Sequence, residues 1–175
     1  NPDNLILGFG LNFLPAADLN LNGGTYEAAS STDLAGTTTV GAGPESTIKV
    51  RNNTFLTFAG GSTTTLNGNL RLENNNINVE DLATFSGPGA LKVVDGSHMV
   101  IDNNADVGVL LEMRGALRPG NSEGIGRANL TDYQQYETGE LFLELTGTSL
   151  NQYDRLSASG DVVVDGYLNL DLDAM

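Results

Sequence analysis

GALRPGNSEGIG (residues 115–126), YETGELFLELTG (136–147) and YDRLSASGDVVVDGYLNLDL (153–172) are the stretches that decide the fold of this chain. Leu141, Leu143 and Leu145 alternate with other residues, as do Val162 and Val164, and then Leu168, Leu170 and Leu172. Successive side chains of a strand point to opposite faces, so this alternation builds short strands with one apolar face. Gly139, Gly147, Gly160 and Gly166 punctuate them with turns.

Working upstream, similar pieces recur: STIKV near residue 48, NLRLE near 70 and ALKVV near 91. Headed by Ile48, Leu70 and Leu91, the copies are 22 residues (70 − 48) and 21 residues (91 − 70) apart. The series continues more loosely through Leu117, Leu141 and Leu168, at steps of 26, 24 and 27. A period of this length made of short strands is too short for a propeller blade and suits a stacked coil. The reading is an all-β, right-handed parallel β-helix (β-solenoid) of roughly six or seven rungs, with leucine, isoleucine and valine stacked inside. Asn52-Asn53, Asn74-Asn75-Asn76 and Asn103-Asn104 each follow an inward-pointing strand. Asparagine tolerates left-handed backbone and bonds its own main chain, so these clusters read as corners. GSHM at 96–99 sits where the repeat needs a turn and then a strand, and belongs to the repeat.

The N-terminal LILGFGLNFL, residues 5–14, carries Leu5, Leu7, Phe9, Leu11 and Phe13 on one face of a single alternating strand. Pro15 ends it. Residues 1–15 are expected to cap one end of the coil or to pair with another subunit, and 16–175 to form one solenoid domain. Self-association is assigned to those five apolar side chains.

Composition narrows the function classes. Gly is 22 of 175 residues, charged residues are 17%, and Trp and Cys are absent. Asn, Asp, Ser, Thr and Gly supply turns, while strong helix formers are thin. With 22 acidic and 8 basic residues the formal charge is −14. Such a surface repels phosphate backbones and anionic lipid, which argues against nucleic acid as a partner. No apolar run is long enough to span a membrane as a helix. The sequence start lacks a charged n-region and h-region, which fits either a cytosolic chain or one matured after signal removal.

Candidate chemistry is sparse. Asp102-Asn103-Asn104-Ala105-Asp106 spaces oxygen ligands as a calcium loop does, but Val107 and Met113 stand where an EF-hand needs Gly and Glu. It reads as a corner turn, with calcium as the alternative cofactor and none as the first expectation. Asp171 and Asp173 share a strand face. His98 is the single histidine and lies beside a turn. Lys49, Arg71 and Lys92 occupy similar places in successive copies, so they are expected to line one outward face and neutralise acids, or to meet an anionic sugar. Tyr133, Tyr136 and Tyr153 are the local aromatic group that a glycan groove would use. Neither a nucleophile elbow nor a phosphate loop is present, and no catalytic residues are assigned.

The last 60 residues or so resemble a segment that recurs in secreted bacterial autotransporter passengers and autotransporter-like surface proteins. The residues that carry the likeness are Leu117, Pro119-Gly120-Asn121-Ser122, Gly124, Tyr133, Gln135, Gly139, Leu141, Glu144, Gly147, Asp154, Leu156, Gly160, Gly166 and Leu168. The pattern departs at Glu123–Arg127, where a Thr- or Leu-rich strand is usual. The resemblance implies a right-handed parallel β-helix, export to the bacterial cell surface, and a non-catalytic stalk, adhesin scaffold or self-associating matrix subunit. It carries no catalytic residues. Since such chains usually continue toward an anchor, the stop at Met175 reads as a processed or truncated piece. A carbohydrate-binding or polysaccharide-cleaving β-helix, and a calcium-stabilised adhesin module, are the alternatives.

Overall fold

The computed structural model describes residues 5–7, 12–13, 18–51, 54–120 and 125–172, the first two segments by backbone alone. Every regular element among them is a strand. The chain winds as a parallel β-solenoid with three faces per turn. The first turn contributes β1 (Leu5–Leu7), β2 (Asn12–Phe13) and β3 (Asp18–Leu21). The next adds β4 (Gly24–Ala28), β5 (Thr32–Leu34) and β6 (Thr37–Val40). Then come β7 (Ser46–Val50), β8 (Phe55–Phe58) and β9 (Thr63–Leu66), followed by β10 (Leu70–Glu73), β11 (Asn76–Val79) and β12 (Thr84–Ser86). Above them lie β13 (Ala90–Val93), β14 (His98–Ile101), β15 (Asp106–Met113) and β16 (Ala116–Pro119). The coil ends with β17 (Arg127–Gln135), β18 (Glu140–Leu145), β19 (Arg155–Ala158), β20 (Val162–Val163) and β21 (Tyr167–Leu172).

Each strand pairs in parallel with its equivalents one turn below and above. One face stacks eight strands, β2-β5-β8-β11-β14-β16-β18-β21, close to the rung number expected from the repeat. The other two faces run β1-β4-β7-β10-β13 and β3-β6-β9-β12, and meet in β15. Asp106 and Val107 pair with β12 while Ala90–Val93 pairs with Leu110–Met113, so one strand serves two faces. Gly108 sits at the register shift, and a Cβ there would meet the Phe85 carbonyl oxygen at 2.8 Å. The corner that lower turns make with a loop is here reduced to a bulge.

Parallel in-register stacking places like on like about 4.8 Å apart. Leu56, Ile77, Met99, Leu117 and Leu141 form one inward column, and Leu34, Phe58, Val79 and Ile101 form another. All nine are buried. Phe58 and Phe85 meet edge to face with centroids 4.8 Å apart, joining two walls across the core. Thr38 and Thr64 stack inward as a buried threonine pair on the third face.

The corner between the third and first faces is held by glycine. A Cβ on Gly68 would lie 2.3 Å from the Gly41 oxygen, and one on Gly89 would lie 2.1 Å from the Gly68 oxygen. The backbones therefore stack at a distance that no side chain permits. Gly87, at φ +113°, adds a backbone conformation that favours glycine.

The repeat read from sequence needs two corrections in register. Ile48 stacks on Leu72, while Leu70 stacks on Ser46 below and Leu91 above. The step from Leu91 to Leu117 is no lengthened rung: Leu91 continues to Leu111, whereas Leu117 lies on Met99 in the second face. The loose half of the series had changed face. The N-terminal stretch is not one strand either. Leu5–Leu7 pairs with β4, and Asn12–Phe13 with β5 in the other sheet. The GSHM segment is part of the coil: Gly96 turns at φ +76°, and His98 starts a strand paired on both sides.

Gly89→Ala is expected to lower stability by about 1–3 kcal/mol, because backbone must shift to admit the methyl. Gly43→Ala, whose Cβ meets nothing within 4 Å, is the control and should change it little. Urea unfolding of both proteins checks the difference.

Candidate functional site

Tyr133, Gln135, Gly139, Asp154 and Gly166 hold the last turns together. Gln135 is fully buried. Its side-chain oxygen accepts from the Tyr133 hydroxyl at 3.0 Å, and its amide nitrogen donates to the carbonyls of Gly139 (3.0 Å), Tyr167 (3.1 Å) and Asp165. One side chain thus ties β17 to the corners that open β18 and β21. Burial pushes the Tyr133 phenol up in pKa, keeping it a neutral donor. The two corner glycines fit the same contact: a Cβ on Gly166 would lie 2.5 Å from the Gly139 oxygen.

Asp154 makes a second clamp. Its carboxylate accepts from the Gly126 amide at 2.6 Å and the Glu144 amide at 2.9 Å. Burial raises its pKa, while those two bonds and the Arg118 charge act in the opposite direction. Residues 146–153 leave the coil after β18 and return through an antiparallel bridge between Leu145 and Tyr153. Gly126 and Gly160 pack against Gly120 and Asp132 more closely than a Cβ allows. These clamps close the coil.

The surface of the last turn is different in kind. β21 lies on β18 with Leu168, Leu170 and Leu172 opposite Leu141, Leu143 and Leu145. Leu168 and Leu170 are 53% exposed and Leu172 is 68% exposed; Leu168 continues the column of buried Leu117 and Leu141, while Leu143 and Leu145 beneath the other two are half-buried. Val162, Val163 and Val164 are about half exposed beside them. The described coil thus presents apolar side chains and an unpaired strand edge on its last turn. At the opposite end, Phe9 and Leu11 lie outside the described residues, as do the side chains of Leu5, Leu7 and Phe13.

On the outward side of the second face, four rungs contribute to a hollow of about 360 Å³, whose lining includes Asn75, Asp95, His98, Ala116, Glu140 and Phe142. His98 faces Phe142 at 6.0 Å between centroids, and the Arg118 guanidinium sits 4.6 Å over the same ring. Glu140 accepts from the Asn169 amide at 2.9 Å. Burial and then the Arg118 charge hold the imidazole below its usual 6.5, against the pull of Glu140. The arrangement supplies a neutral imidazole and a carboxylate on a stacked aromatic floor.

The other residues singled out from sequence separate. Arg71 and Lys92 do stack in register, but Lys49 stacks on Glu73, so the three cations form no continuous line. Each has an acid: Lys49 and Arg71 share Glu73 at 3.3 and 2.8 Å, and Lys92 reaches Glu45 at 2.9 Å. The Arg71 hydrogen bond is the main reason Glu73 is more acidic than usual. Tyr133, Tyr136 and Tyr153 form no row either. Tyr133 points inward, whereas Tyr136 lies under the Arg114 guanidinium at 3.9 Å and donates to Glu112. Asp102–Asp106 is a corner turn in which the Ala105 amide donates to the Asp102 carbonyl. Among the described residues no three metal-ligating acids or histidines converge. Asp173 lies outside the described residues. The asparagines bond neighbours' backbone and acids: Asn104 donates to Asp81, and Asn103 accepts from the Arg127 amide.

No family model matches the chain, and no curated protein or solved structure matches it significantly. Sequence reasoning had missed the Arg118–Phe142–His98 stack, which spans three rungs and is visible only once the second face is aligned.

Two outcomes check these assignments. Gln135→Leu is expected to cost about 2–4 kcal/mol, since it strands the Tyr133 hydroxyl and several carbonyls, and to speed amide exchange at Gly139 and Tyr167. A proton NMR titration of His98 should give a midpoint below 6.5, moving upward in Arg118→Gln. Since the folded pKa is lowered, stability from the neutral imidazole is fully present above 6.5 and is lost as pH falls from there through the lower folded pKa.

Proposed function

We propose that this chain is a non-enzymatic structural rod, an acidic stalk or scaffold exported to the bacterial surface, whose coils associate end to end. The observation that supports this most is the last described turn, where leucines in register with Leu141, Leu143 and Leu145 stand half exposed or more on a parallel edge that is unpaired among the described residues. A following rung would continue each ladder and bury Leu168, Leu170 and Leu172. Edges of this kind template further strands unless they are blocked, and head-to-tail contact between identical ends extends into filaments. Two of the perturbed acids add support: Glu73 serves ion pairs and Asp154 serves backbone clamps, both structural tasks. Export rests on the autotransporter-like segment, several of whose side chains are the clamps of the final turns.

A formal charge of −14 works against end-to-end contact at low salt. Assembly should therefore strengthen as salt is raised from about 10 mM to about 150 mM. Sedimentation velocity and negative-stain imaging test the proposal. Rods lengthening with concentration are expected for the parent chain, and folded monomers for Leu168→Lys/Leu170→Lys. Parent protein that stays monomeric at about 100 µM, or a double variant that still polymerises, would contradict it.

A further inference from the structure

We infer that Arg127 and Arg155 form a binding site for a carboxylated sugar, a uronate unit of an acidic polysaccharide. The site does not depend on how the rods assemble. The two arginines are directly opposite each other in register on β17 and β19. Parallel strands bring such residues to about 5 Å, and like charges placed directly opposite disfavour the pairing. On a chain with an excess of acids, Lys49, Arg51, Arg71 and Lys92 each have a carboxylate beside them, and Arg114 and Arg118 lie over aromatic rings. Arg127 and Arg155 make no ion pair among the described residues, and the Arg155 Nε is buried without a hydrogen-bond partner. Among the described residues, Arg127 and Arg155 thus have neither an ion pair nor a ring contact, and they stand a rung apart.

The surroundings are shaped for a ligand rather than for an ion alone. The two arginines line a hollow of about 350 Å³ together with Asn103, Asn104, Leu150 and Asn151. Its outer wall is the excursion 146–153, whose tip at Leu150–Asn151 is exposed and lies beside the arginines. In lower turns the same connection is short, over 59–62, 80–83 and 102–105. The Asp154 clamp and the bond from the Thr146 amide to the Gln152 carbonyl at 2.7 Å fix the base of that wall.

The chemistry of the lining matches an acidic sugar group by group. Guanidinium forks bind carboxylate in a planar, bidentate way, and two of them bracket one carboxylate. Asn103 spends its oxygen on the Arg127 amide, which turns its amide nitrogen toward acceptors such as sugar hydroxyls. Asn151 adds a second amide, and the exposed Leu150 side chain offers an apolar patch to the C–H face of a ring. The hollow has room for a sugar ring, and its open sides let a polymer pass.

Isothermal titration with short oligogalacturonates tests the site, with neutral galacto-oligosaccharides and inorganic sulfate as comparison ligands. Binding of the oligogalacturonate is expected, weakened at least roughly tenfold in Arg127→Gln/Arg155→Gln. Neutral oligosaccharide should not bind. Asn151→Asp, which sets a competing carboxylate beside the pair, should weaken binding while leaving the melting curve in place. Absence of oligogalacturonate binding, or equal affinity in the double variant, would overturn the assignment. Neutral oligosaccharide binding equally well would overturn the role of charge. Sulfate displacing the oligomer at equal concentration would reduce the site to a simple oxyanion pocket and overturn its assignment to a sugar.

Discussion

Everything in this molecule depends on parallel strands stacking in register. Once Leu56 lies under Ile77 and Ile77 under Met99, each inward position repeats one strand spacing higher, and the core becomes a set of columns. The condition for that regularity is at the corners. Gly41, Gly68 and Gly89 bring three consecutive backbones closer than a methyl would allow, so the third face can turn into the first without tilting the ladder. Higher up, Gly108 performs the turn with a bulge, and the Gln135 and Asp154 clamps add buried hydrogen bonds to the glycine contacts. The style of the corner changes while the register of the columns persists.

The same constraint explains the placement of charge. Outward residues also fall into columns, so a cation on one rung has a neighbour fixed by register. Lys49 over Glu73 is a matched pair, and Arg127 opposite Arg155 is a mismatched one. A coil solves most such pairings locally. Where it leaves one unsolved beside a built wall, the surface has an interaction to offer. The turn at the end of the described coil is the other unsolved position, because its leucines follow the inward pattern without a rung to cover them.

Much of the architecture was legible in the sequence. Alternation in Leu141–Leu145 and Leu168–Leu172, glycine at the breaks and a period near 21 residues are direct consequences of stacked short strands. Register within the period was harder to read. Ile48 was matched to Leu70 because both head similar pentapeptides, yet the turn between them is three residues longer than the next. Leu117 was joined to Leu91 although it belongs to another face, since leucines on two faces look alike in one dimension. The basic line failed for the same reason. Tyr133 read as a surface aromatic because nothing local reveals that Gln135, two residues on, satisfies its hydroxyl inside the core. The arginine pair needed the excursion at 146–153 to be placed before it could be seen.

The most direct test of the whole account is hydrogen exchange across the chain, followed by mass spectrometry in dilute protein and again under assembly conditions. Strands β7 to β14, paired on both sides, should exchange slowly in both states. The last turn, residues 155–172, should exchange fast when dilute and become protected on assembly. A last turn already as protected in the dilute monomer as β7 to β14, or one left unchanged by assembly, would contradict the account.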